Sequence, residues 1–151
     1  MEQDRKIKVG ISIGDPNGIG IEVILKIFQE KELFDFFTPI LYANMKLISF
    51  QKGHLNLRTS LNPYTEGGKL SPTQVNVVDV WKTPFNSSFG QSTKEGGEHA
   101  LKSLVSATKA LKEGKVDVLV TAPIDKHNIQ SETFNFPGHT DYLAKELGGK
   151  S

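Results

Sequence analysis

The stretch Ile7-Lys8-Val9-Gly10-Ile11-Ser12-Ile13-Gly14-Asp15-Pro16-Asn17-Gly18-Ile19-Gly20-Ile21-Glu22-Val23-Ile24-Leu25 decides the fold class. Ile7, Val9, Ile11 and Ile13 alternate with Lys8, Gly10 and Ser12, which is the period of a strand. A turn-forming segment follows at residues 14–18, and beyond it Ile21, Ile24, Leu25 and Phe28 recur at helical spacing. Pro39-Ile40-Leu41-Tyr42 predicts a second short strand, with a weaker helical stretch over residues 45–50. Strand, helix and strand in that order make a βαβ unit, so the expected architecture is α/β, a parallel-rich sheet flanked by helices.

Further along the chain the pattern is uneven. Residues 53–73 are rich in Gly, Asn, Ser, Thr and Pro and read as loop with at most one short strand, and His54 falls in that polar loop. Val75, Val77, Val78 and Val80 predict a strand that ends in turn-prone residues 83–88. Ser92-x-x-Glu95 has the form of a capping box, in which a hydroxyl and a carboxylate satisfy free backbone N–H groups. Behind it Leu101, Leu104, Val105, Thr108 and Leu111 mark an apolar helix face, and Gly114 suits the stop. Val116-Asp117-Val118-Leu119-Val120 reads as a buried strand running into Thr121-Ala122-Pro123.

Composition narrows the function. The 151 residues fit one domain, at 37% hydrophobic and 23% charged. Lys+Arg 18 against Asp+Glu 17 leaves a net charge of +1, so no basic stripe supports nucleic-acid binding. The absence of cysteine removes disulfides, thiolate metal ligands and a cysteine nucleophile. The N-terminus is too polar for a signal peptide and no apolar run reaches membrane length, which is compatible with a cytoplasmic protein.

Three segments could carry chemistry. The first is Gly14-Asp15-Pro16-Asn17-Gly18-Ile19-Gly20, where glycines admit close backbone approach and a helix N-terminus favours an anion. It is not a dinucleotide fingerprint, because the third glycine position holds Val23 and the second strand ends at Tyr42-Ala43-Asn44 without an acidic residue. A phosphate-binding loop of the Walker type fails too, since Gly149-Lys150-Ser151 has Ala144 at the upstream glycine position. The second segment is Thr121-Ala122-Pro123-Ile124-Asp125-Lys126-His127. There Lys126 can pair with a phosphate or carboxylate, and Asp125 can orient it or take part in proton transfer. The third is Phe136-Pro137-Gly138-His139-Thr140-Asp141, with Thr140 as N-cap of a short helix through Tyr142, Leu143 and Leu147. His139 is placed to hydrogen-bond a phosphate or shuttle a proton. The bland counterparts are a plain strand–helix turn, an exposed charged loop and a structural histidine. His54, His99 and His127 have weaker claims, and no histidine spacing suits a metal site built from this chain alone.

Together these segments resemble the 4-hydroxythreonine-4-phosphate dehydrogenase (PdxA) family. Residues 14–22 are similar to its G-[DE]-P-x-G-I-G-x-[ED] signature, residues 121–126 to its T-[GA]-P-[IV]-x-K segment, and residues 136–142 to its F-x-G-H-T-[ED]-[FY] segment. Asn17 stands where Ala is common and Ile21 where Pro is common. The resemblance implies an isocitrate/isopropylmalate-dehydrogenase-like fold and a homodimer with its active site between two domains. It also implies NAD- or NADP-dependent oxidation of a phosphorylated hydroxy amino acid, followed by decarboxylation, on the way to pyridoxal phosphate. A divalent metal (Zn, Mg or Co) would assist as Lewis acid. His139 and Thr140 would bind substrate, Lys126 would take a substrate-binding or electrostatic role, and Asp15 and Asn17 would shape the cleft.

Family members run well beyond 151 residues, and their metal-binding histidines follow the Gly-His-Thr segment. Residues 1–151 are therefore expected to be the N-terminal portion of a two-domain α/β dehydrogenase, with the metal-ligand region absent and no activity by themselves. Two alternatives remain open. One is a related dehydrogenase acting on another phosphorylated hydroxy acid, and the other is a non-catalytic phosphate-binding module.

Overall fold

A computed structural model describes residues 6–122 except 83 and 86. The chain runs β1 (Ile7–Ser12), α1 (Gly20–Ile27), a 3₁₀ turn (Lys31–Asp35), β2 (Phe37–Ala43), α2 (Met45–His54), β3 (Leu61–Pro63), β4 (Val75–Asp79), α3 (Lys94–Lys112) and β5 (Val118–Thr121). The strands form one sheet in the order β3-β4-β2-β1-β5, and each neighbouring pair is parallel. The parallel α/β architecture expected from the sequence is what the chain adopts.

Strand alternation distributes the core over both faces of the sheet. Val9, Ile11 and Ile13 pack with Ile21, Ile24 and Leu25 of α1 and with Leu47 and Ile48 of α2. On the other face Ile40 and Tyr42 meet Ala107 and Ala110 of α3 and Val116. Each large apolar side chain buried in this way contributes roughly 1.5–3 kcal/mol. Among the polar residues of the interior, Asn76 of β4 is fully buried. Its Oδ1 accepts from Asn62 Nδ2 and from the Ser71 N–H, both at 2.8 Å, while its Nδ2 donates to the Pro39 carbonyl at 3.1 Å. That single amide joins β3, β4 and β2.

The helices differ from their sequence expectations in three places. Helix α2 continues past residue 50 and ends at His54, so His54 is helical rather than part of a loop. Asn56 stops it by taking φ 55°, with Leu57 N–H on the Lys52 carbonyl and Asn56 N–H on the Gly53 carbonyl. These are the paired closing bonds of a Schellman motif, here with asparagine in the left-handed position. In α3 the cap is Thr93 and not Ser92: Thr93 Oγ1 accepts the Gly96 N–H at 2.9 Å. The same oxygen also accepts from Asn17, and that tertiary contact favours the hydroxyl one residue along. The buried face of α3 is made by Gly96, Ala100, Ser103, Leu104, Ala107 and Ala110, whereas Val105 is exposed. Small residues let the helix lie close on the sheet, which rotates the larger Val105 outward.

Candidate functional site

In an open parallel sheet, ligands gather beyond the C-terminal ends of strands where successive connections leave in opposite directions. Here β1 connects toward β2 on one side, and the chain later crosses to place β5 on β1's other side. The loops after β1 and β5 therefore diverge from adjacent strand ends. Ser12 faces Thr121 in register, and the Ala122 N–H donates to the Ser12 carbonyl at 3.0 Å. The Gly14–Gly20 motif and the Thr121-Ala122 start of the second motif, separate in sequence, meet at this crevice.

Gly20 makes the meeting possible. A Cβ there would lie 2.5 Å from the Ile13 carbonyl oxygen and 2.8 Å from Ala122 Cβ, so any larger residue would push α1 off the strand ends. The loop between β1 and α1 is closed on itself. Asp15 Oδ1 accepts the Asn17 N–H at 2.9 Å, and the Asp15 carbonyl accepts the Gly18 N–H at 2.9 Å. Asp15 and Asn17 are both buried.

Asn17 also fastens the segment before α3. Its Oδ1 accepts the Ser88 N–H at 2.7 Å, its carbonyl accepts the Gly90 N–H at 2.8 Å, and its Nδ2 donates to Thr93 Oγ1 at 3.1 Å. Gly96 lets the first turn of α3 reach this cluster, since a Cβ there would sit 2.7 Å from Asp15 Oδ1 and 3.0 Å from Asn17 Nδ2. The Asp15 carboxylate thus lies beside the positive end of a helix dipole, a favourable place for negative charge. Two further side chains brace the loop. Gln51 of α2 donates to the Pro16 carbonyl at 2.9 Å, and the Ser103 hydroxyl of α3 accepts the Ile13 N–H at 2.9 Å while donating to the Tyr42 carbonyl. Gln51 and Ser103 escaped the sequence reading because nothing local marks a helical Gln or Ser as the partner of a distant backbone.

Lys126, His139 and Thr140, like His127 and the helix expected after Thr140, lie outside the described residues. The two described histidines are engaged elsewhere. His54 stacks between Phe50 and Phe89, and His99 is buried edge-on between Trp81 and Phe85. Among the described residues no group of three His, Cys, Asp or Glu side chains could hold a metal ion, so these residues do not fit a divalent metal centre. A dinucleotide held at the end of β2 does not fit either. Asn44 there spends its side chain on the Leu47 N–H and the Trp81 carbonyl. Tyr42, at the other side of the sheet, has its hydroxyl pKa pushed up to about 12, first by burial and then by the nearby charge of Glu66. Glu66 and Glu113 both pair with Lys115, which holds that ammonium well above its usual range.

Residues 35–151 match the family model described as "Pyridoxal phosphate biosynthetic protein PdxA". Over 146 residues the chain is 37% identical to a Bacteroides thetaiotaomicron protein named 4-hydroxythreonine-4-phosphate dehydrogenase, covering 97% of this chain and 40% of that protein. It is 29% identical to a Clostridium botulinum protein provisionally named D-threonate 4-phosphate dehydrogenase, covering 90% of this chain and 42% of that one. A crystal structure of 4-hydroxythreonine-4-phosphate dehydrogenase from Burkholderia phymatum superposes with a TM-score of 0.86 at 22% identity, covering 97% of this chain and 45% of that chain. The fold is shared, and the chain spans about two-fifths of the length of these curated relatives.

Proposed function

Because the chain belongs to the PdxA family of pyridoxal phosphate biosynthetic proteins, we propose that it forms one wall of the active-site cleft of a 4-hydroxythreonine-4-phosphate dehydrogenase. The reaction is NAD(P)-dependent oxidation of the substrate's secondary alcohol to a ketone, and the resulting β-keto acid loses carbon dioxide. The observation that carries this reading is the junction of the β1 loop and the end of β5 at the crevice, closed by Gly20 against Ala122. That junction delivers the chain into the segment containing Lys126 and then His139 and Thr140.

In this reading the residues of the chain bind and position. His139 and Thr140 donate hydrogen bonds to the phosphorylated substrate, and Lys126 offers a cation to the same anion. Asp15 and Asn17 keep the crevice in shape through the bonds already described. Among the described residues no group of three potential ligands comes together, and metal dependence is proposed on the family relationship alone. A homodimer in the cytoplasm completes the proposal. Among the described residues no helix is long and apolar enough to cross a membrane.

The test is an assay of the complete protein with 4-hydroxythreonine-4-phosphate, NAD or NADP and a divalent metal. Nucleotide reduction with release of carbon dioxide is expected, and His139→Ala or Thr140→Ala should cut kcat/KM by about a hundredfold or more. No turnover, or an unaffected His139→Ala variant, would sink the assignment. Residues 1–151 alone are expected to be inactive, and metal-dependent NAD reduction by them would contradict the one-wall reading. A second reading, oxidation of another phosphorylated hydroxy acid, is favoured by the Clostridium botulinum relative. Running D-threonate 4-phosphate beside the first substrate separates the two.

A further inference from the structure

We propose that the cavity between α2 and the segment leading to α3 binds a planar aromatic monophosphate, at a site of its own. The cavity measures about 420 Å³ and is lined by Leu47 and Phe50 of α2, by Phe85 and Phe89 of the segment, and by Lys46 and Lys82. That volume suits a small-molecule site.

Its walls offer flat aromatic faces in fixed planes. Phe50 and Phe89 are exposed at 55% and 45%, a costly disposition for two phenylalanines that share one cavity. Their planes are set by His54, one helical turn beyond Phe50. The Phe50 and His54 rings lie within 14° at 6.0 Å, and the His54 and Phe89 rings within 7° at 5.1 Å. Phe89 is held from the backbone as well, because the N–H groups of its neighbours Ser88 and Gly90 both bond to Asn17. An aromatic platform held in place from two sides is ready to stack against a planar ring without losing further freedom.

The charges that the described residues bring to the cavity have one sign. Lys46 and Lys82 are exposed, and neither forms an ion pair among the described residues. Among the described residues no carboxylate lines the cavity. A ring alone would leave these two ammonium groups unused, and a phosphate alone would leave the exposed parts of Phe50 and Phe89 bare. A ring carrying a phosphate satisfies both. This chemistry is found in a purine nucleotide monophosphate and in a phosphorylated pyridine alike.

Calorimetry on the full chain with AMP and with pyridoxamine 5′-phosphate tests the proposal, with adenosine, pyridoxamine and inorganic phosphate as controls. At least one monophosphate should bind saturably and at least about tenfold more tightly than its dephosphorylated form and than phosphate. Binding of AMP alone identifies the nucleotide as the source of the ligand, and binding of pyridoxamine phosphate alone identifies the pyridine. Lys82→Ala, Lys46→Ala and Phe89→Ala change exposed side chains, so their melting temperatures should stay near the parent's while each weakens binding at least about fivefold. The proposal is overturned if neither monophosphate saturates at millimolar concentration. It is equally overturned if inorganic phosphate binds as well as either, or if the double variant Lys46→Ala/Lys82→Ala binds like the parent.

Discussion

Asn76 is a polar residue in the interior whose removal strands several partners at once. Asn76→Leu keeps the volume but leaves Asn62 Nδ2, the Ser71 N–H and the Pro39 carbonyl without their bonds, so a loss of roughly 3 kcal/mol is expected in denaturant melts. Two helical glycines should respond in opposite ways. Gly96→Ala drives a methyl into Asp15 and Asn17 and should cost about 1–3 kcal/mol. Gly53→Ala meets nothing within 4 Å and should gain about 0.5–1 kcal/mol from helix propensity. Tyr42 adds a pH dependence. Its pKa of about 12 in the fold lies above the unfolded value of 10.0, so as pH rises the unfolded chain gives up the proton first. Stability is therefore intact below pH 10 on this account. It declines between the two values by up to about 2–3 kcal/mol. Urea melts across that window check the loss, and Tyr42→Phe should remove this part of it.

At the scale of elements, the strands and helices with strong periodicity were legible in the sequence, and their ends were not. The alternation at Ile7, Val9 and Ile11 and the valines of β4 and β5 announce strands because each side chain lies on one face of a pleated sheet. Strand β5, expected to be buried, instead starts at Val118 and leaves Val118 and Val120 exposed, because it has only β1 as a neighbour among the described strands. The helix starts and stops depended on partners far away in the chain. Asn17 decides between Ser92 and Thr93 as the cap of α3, and no window around residue 92 contains Asn17. Thr93→Ala should therefore cost about 1 kcal/mol, while Ser92→Ala should leave the thermal midpoint where it was. The weak apolar pattern of α2 hid its last turn, which Asn56 closes from outside. The candidate site was legible as a set of motifs, and the crevice that joins two of them was not. Their meeting depends on β5 lying next to β1, a property of sheet order and not of spacing.

For the molecule as a whole, one side of the sheet carries apolar groups that the described helices leave uncovered. Ile19, Val23 and Ile27 line the outer edge of α1, and Val118 and Val120 of β5 are exposed on the same side as Val9 and Ile11, their partners in register. The 151-residue chain is expected to self-associate as its concentration rises. Sedimentation velocity should show this, and Val23→Lys with Val120→Lys should return it to the monomer. The sheet order also sets a schedule in time. Val9 pairs with Val118, 109 positions later, so β1 leaves the ribosome well before its partner strand. At roughly 5–20 residues per second, that edge of β1 waits about 5–20 seconds for its neighbour. Slowing translation anywhere between β1 and β5 lengthens that wait and should lower the yield of folded chain.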